Sequence, residues 1–141
     1  AADGAPDAVI INLGQNDYGK PAHIDPVSGK PVPNHLPSPS QWALHYRWFL
    51  GNLTALYSGS SKKQTFFLAC GGMAPKYCND TEAAVKKMNA AGMANVHYLD
   101  ITASSVRANA SYMGCAGHPS WIGHAKAAAI AEPLVKKAMG W

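Results

Sequence analysis

The chain has 141 residues, 48% of them apolar and 14% charged, enough for one domain with a core and too apolar for a disordered segment. Lys and Arg exceed Asp and Glu by 12 − 8 = 4. The basic residues are scattered, as in Lys62-Lys63, Lys86-Lys87 and Lys136-Lys137, and not gathered into the patch or run that nucleic-acid binders usually carry. No apolar run approaches the roughly 18 residues of a membrane span. The longest soft stretch, Ala125 to Ala131, is short and alanine-rich, so no membrane partner is expected.

Asp7 to Gly14 reads D-A-V-I-I-N-L-G, a continuous apolar run broken by Gly. This is the pattern of a strand buried on both faces. Asp17 to Pro39 holds six prolines and is expected to be a long loop, of the kind that covers or does something. Ser38 to Ser58 places Trp42, Leu44, His45, Trp48, Phe49, Leu53, Leu56 and Tyr57 at helical spacing, with Ser38 or Ser40 as the cap. Gln64 to Cys70 reads as a second strand. Asn79 or Asp80 is expected to cap a helix running to about Ala91 and ended by Gly92. Asn95 to Ile101 reads as a third strand, and His118 to Met139 as a closing helix packed through its alanines.

Strands alternating with helices predict an α/β fold whose parallel strands are joined by crossovers. In such sheets chemistry gathers in loops at the carboxyl ends of strands. Two loops there stand out: Gly14-Gln15-Asn16-Asp17 and Gly114-Cys115-Ala116-Gly117-His118-Pro119. Asn16 offers a carboxamide N–H₂ that can hold an oxyanion, and the alternative is an ordinary Asn-Asp turn. Asp17 is expected to bond its own loop backbone. His118, held by Pro119, can act as a general base near neutral pH, or be a packed residue at a helix start. There is no nucleophile-elbow motif, Walker loop or dinucleotide fingerprint. No metal site is expected, since no Cys pair is close enough for zinc, and His118 and His124, six apart, would lie on opposite sides of a helix.

An apolar strand ending in G-x-N-D, followed much later by G-C-x-x-H-P-x-x-x-G-H opening a final helix, resembles the SGNH (GDSL-like) hydrolases. Within them it is most similar to carbohydrate esterase family two, the acetyl-polysaccharide esterases. Cys70-Gly71-Gly72-Met73 is similar to the C-G-P-M-like turn found there after the middle strand. The resemblance spans about Pro6 to Met139. It implies a flavodoxin-like three-layer sandwich with a parallel sheet, of which residues 1–141 are the C-terminal portion of one domain, with three strands and their helices. It implies carboxylic ester hydrolysis, of acetyl groups on polysaccharide or of small esters, with Asn16 in the oxyanion hole and His118 as catalytic base. It implies no cofactor.

Two departures from the family pattern stand in this sequence. The Gly-Asp-Ser block that supplies the nucleophile is absent, so the serine is expected on a segment outside these residues, on a second chain produced by cleavage. The acid that precedes the histidine is also absent, its places taken by Cys115 and Ala116. A Ser-His dyad is therefore expected, its imidazole oriented by a backbone carbonyl. With its neighbouring strand missing, the first strand would be an apolar open edge. Tyr18 and Trp121 are candidate substrate contacts; a packed Trp121 is the alternative. Two alternatives stand for the whole chain: a non-catalytic SGNH-like domain that binds glycans or a partner, and a flavodoxin-like binding module unrelated to hydrolases, which would need the Asn16 and His118 loops to lie far apart.

Three sequons, at Asn52, Asn79 and Asn109, are candidate glycosylation sites. A short disulfide between Cys70 and Cys78 would suit an oxidising compartment, the alternative being buried thiols. Cys115 is left over, free or paired outside these residues. Together these features predict a secreted protein.

Overall fold

The structure is a computed structural model that describes residues 4–15, 23–24, 27–32, 37–73 and 77–141. Three strands, β1 (Ala8–Ile11), β4 (Thr65–Gly71) and β5 (Val96–Ile101), form a parallel sheet in the order β1-β4-β5. Ala8 pairs in register with Thr65, and Phe66 with Val96. A separate two-stranded antiparallel pair, β2 (His23–Ile24) with β3 (Pro31–Val32), interrupts the stretch expected to be loop. Proline tolerates such a short pairing because it needs to donate no ladder bond at an edge.

Helix α1 (Pro39–Leu56) starts where the sequence predicts. Ser38 and Gln41 form a reciprocal capping box: the Gln41 N–H donates to Ser38 Oγ at 3.3 Å, and the Ser38 N–H donates to Gln41 Oε1 at 2.8 Å. Its buried stripe is Trp42, Tyr46 and Leu50, spaced four apart. Helix α2 (Cys78–Ala90) packs beside it. Neither Asn79 nor Asp80 caps α2; the N-cap is Tyr77, which makes no side-chain cap bond. The Cys70–Cys78 disulfide, with an S–S distance of 2.04 Å, pins that first turn to the end of β4 in place of a cap. The predicted pairing of these cysteines is thus met, and Cys115 is free and exposed.

Helix α3 (Trp121–Met139) is shorter at its start than the sequence suggests. Ser120 is the N-cap, its Oγ accepting from the Gly123 N–H at 3.3 Å. His118 therefore lies outside the helix, in extended conformation behind Pro119. Residues 115–117 form a tight 3₁₀ turn containing Ala116 in the left-handed region, at φ 53°.

The sheet separates two apolar layers. Val9, Ile11, Phe66, Leu68 and Val96 face α1 and α2, whereas Ala8, Phe67, Ala69, Leu99 and Ile101 face α3 through Ala127, Ile130, Ala131, Val135 and Met139. Phe66, Phe67, Leu68 and Leu99 are essentially sealed from solvent, each worth about 1.5–3 kcal/mol of transfer free energy. The chain is thus an α/β three-layer arrangement on a three-stranded parallel sheet, compatible with a flavodoxin-like layout. β1 is the apolar edge strand expected in the absence of its neighbour, and the expectation that it is buried on both faces is corrected: Ile10, on the α3 side, is 55% exposed.

Candidate functional site

Strand direction decides where the site lies. Because β1, β4 and β5 are parallel, their carboxyl ends meet at one rim of the sheet. A cleft of about 390 Å³ opens there. One wall is Asn12 and Gln15 after β1. The floor is Gly71, Gly72 and Met73 at the end of β4, with Ile101 and Ser104 after β5. The other wall is His118, Pro119 and the first turns of α3, with Gly123, His124 and Ala127.

Backbone contacts draw the His118 loop together. The Gly114 N–H donates to the His118 carbonyl at 2.7 Å, and the His118 N–H donates to the Cys115 carbonyl at 3.1 Å. Ser120 Oγ donates to the Ser111 carbonyl at 2.7 Å and fixes the start of α3 against the preceding loop. Gly123 allows the close approach, because a β-carbon there would lie 2.9 Å from the Tyr112 carbonyl oxygen. This is a physical reason for glycine before His124.

His118 is on the cleft wall. The expectation that His118 and His124 lie on opposite sides of a helix is corrected: both line the same cleft. Helical-wheel geometry does not apply to His118, since the helix begins three residues later at Trp121. His124 is the cleft residue that sequence reasoning set aside. Two histidines do not make a metal centre, and no group of three or more metal-ligating side chains occurs among the described residues.

Asn16, Asp17 and Tyr18 lie outside the described residues. Gln15, adjacent to Asn16, reaches the cleft. Its Oε1 accepts from the Met73 N–H at 3.2 Å, and its Nε2 donates to Asn12 Oδ1 at 3.2 Å. These bonds tie the loop after β1 to the loop after β4. Trp121 is 79% exposed and does not line the cleft among the described residues. It is therefore not a packed helix-start residue.

No protein-family model, curated protein or solved structure matches the chain.

The backbone carbonyl expected to orient the imidazole is not seen: the carbonyl bonds of the His118 loop involve its main chain, and among the described residues no carbonyl or carboxylate accepts from its ring. Asp100 is engaged elsewhere, its Oδ1 accepting from the Thr102 N–H at 2.9 Å and the Thr102 hydroxyl at 2.7 Å. Ser104 is the serine among the described residues lining the cleft, and it is no free nucleophile: it is buried, and its hydroxyl donates to the Ile101 carbonyl at 2.6 Å. The sequon residues Asn52, Asn79 and Asn109 are all exposed.

Proposed function

We propose that the chain is the C-terminal portion of a secreted SGNH-type carboxylic ester hydrolase acting on acetyl esters of carbohydrate. The observation that carries this reading is the position of His118 in a cleft at the carboxyl ends of parallel strands, with the residue before Asn16 on the opposite wall. In this mechanism a serine attacks the ester carbonyl, and His118 takes its proton and then delivers it to the departing alcohol. Asn16 and backbone N–H groups hold the oxyanion, a contribution of roughly a hundred- to a thousandfold per donor. The Cys70–Cys78 bond supports an oxidising compartment. No helix among the described residues is long and apolar enough to cross a membrane.

The nucleophile is proposed to ride on a strand outside these residues that pairs with the open edge of β1. The open edge of β1 supports that partner, with exposed apolar side chains on and just after the strand, Ile10 at 55% and Leu13 at 51%. Leu13 and Trp48 also border an apolar cavity of about 270 Å³ between the β1 end and α1. Water-facing edges of this kind pair readily with another strand.

A second reading, a non-catalytic domain that binds glycans or a partner, is favoured by one observation: the imidazole has no acid beside it among the described residues. Hydrolysis of p-nitrophenyl acetate separates the two when the chain is assayed joined to a segment bearing Gly-Asp-Ser. Turnover lost in His118→Ala supports the esterase, whereas saturable glycan binding without turnover supports the binding domain.

A further inference from the structure

The cleft wall opposite His118 carries a side chain to which the mechanism above gives no role. Alternation along β1 sends Val9 and Ile11 to the α1–α2 layer, so Asn12 continues the row of Ala8 and Ile10 on the α3 side. That is the side where His118 and His124 stand.

The orientation of the Asn12 carboxamide follows from the hydrogen-bond chain. The Met73 N–H can only donate, so the Gln15 oxygen must face it. The Gln15 nitrogen then faces Asn12, which must answer with its oxygen. The Asn12 N–H₂ is thereby turned away from Gln15, and Nδ2 has no hydrogen-bond partner among the described residues. Gly72 keeps the adjacent space open: a β-carbon there would have Asn12 Nδ2 as its nearest neighbour, at 4.0 Å. A donor fixed in this way loses little freedom when it meets an acceptor, which is what makes a polar contact in a cleft effective.

We propose that Asn12 is a ligand-binding residue of this cleft, donating from Nδ2 to an acceptor oxygen of a short acyl group, with Gln15 as its positioning residue. The acyl group as ligand class rests on the esterase reading above; the fixed donor does not. The cleft volume of about 390 Å³ holds an acyl group with part of the alcohol that bears it.

The test uses the 141-residue chain, acetate as the charged probe and acetamide as the neutral one, followed by nuclear magnetic resonance. Both probes are expected to shift the Asn12 side-chain N–H₂ and the His118 ring signals along one saturation curve. Asn12→Ala is expected to weaken both probes at least tenfold while leaving the melting temperature unchanged. Gln15→Leu, which frees the Asn12 carboxamide to rotate, is expected to weaken them several-fold. Asn12→Asp, a second variant of the same shape, is expected to abolish acetate binding and to weaken acetamide. The proposal is overturned if neither probe gives a saturable shift, if the Asn12 signal stays still while His118 moves, or if Asn12→Ala binds as the wild type does. Failure of the esterase reading shows elsewhere, as hydrolysis by the joined protein that is indifferent to His118→Ala.

Discussion

The Trp42 indole donates its Nε1–H to Thr81 Oγ1 at 3.0 Å inside the α1–α2 interface, and both residues are buried. The same indole stacks on Tyr77 with ring centroids 4.4 Å apart and meets Tyr46 edge-on at 5.2 Å. One side chain therefore joins both helices to the segment that leads into α2. Thr81→Val keeps the shape and removes the acceptor, leaving a buried N–H unsatisfied. The expected loss is about 1–3 kcal/mol, read from urea denaturation, with Thr81→Ser retaining most of the stability.

The Cys70–Cys78 disulfide closes a short loop, with a sequence separation of eight. In the chain-entropy account a loop of this size contributes roughly 2–3 kcal/mol by restricting the unfolded chain. The double variant Cys70→Ala/Cys78→Ala is expected to lose about that much in denaturant titration. A reductant should lower the melting temperature of the wild type but not of the double variant.

Gly71 ends β4 with φ +125°, and a β-carbon there would sit 2.6 Å from both the Ile101 carbonyl carbon and the Thr102 nitrogen. Backbone on the neighbouring strand cannot yield as a side-chain tip can. Gly71→Ala is expected to cost more than about 3 kcal/mol and to disturb the cleft floor. Amide spectra should show Ile101 and Thr102 shifting first.

Tyr98 has its phenol pushed up to about 12, first by burial and then by the charges of Asp100 and Glu82. In the unfolded chain the phenol ionises near 10. The fold thus favours the neutral form, and this share of stability is complete below about pH 10 and is lost as the pH rises toward 12. The phenolate absorbance difference between wild type and Tyr98→Phe should have its midpoint near 12. The variant should lose less stability than the wild type between pH 10 and 12.

The parallel sheet and α1 were legible because their signals are local. Ser38 stands as a cap just before the helical spacing of α1 begins, although its reciprocal bond with Gln41 appears only in the structure, and the strand segments carry apolar cores, Phe66 to Cys70 in β4 and Val96, Leu99 and Ile101 in β5. The start of α2 was misplaced, because Asn79 and Asp80 read as caps whereas the short Cys70–Cys78 disulfide holds the first turn and the helix begins at Cys78 with Tyr77 as an N-cap that makes no side-chain bond. Ile10 misled because an apolar run reads alike at a covered centre and an open edge. The site was half legible. His118 stands out by its block, but His124, which lines the same cleft, is placed on the far side by a helical wheel that starts at a residue outside the helix. Asn12 carries no signal in the sequence, since the bonds that orient its carboxamide run through Gln15 to a loop 58 residues away.

The measurement that bears most directly on the central claim is hydrolysis of p-nitrophenyl acetate, by the 141 residues alone and by the same residues joined to a segment bearing Gly-Asp-Ser. The account predicts no saturable turnover by the chain alone. It predicts turnover in the joined protein that falls at least about a thousandfold in His118→Ala. Turnover by the chain alone that His118→Ala abolishes would place the nucleophile inside these residues. A joined protein that is inactive, or that works equally well without His118, would contradict the account.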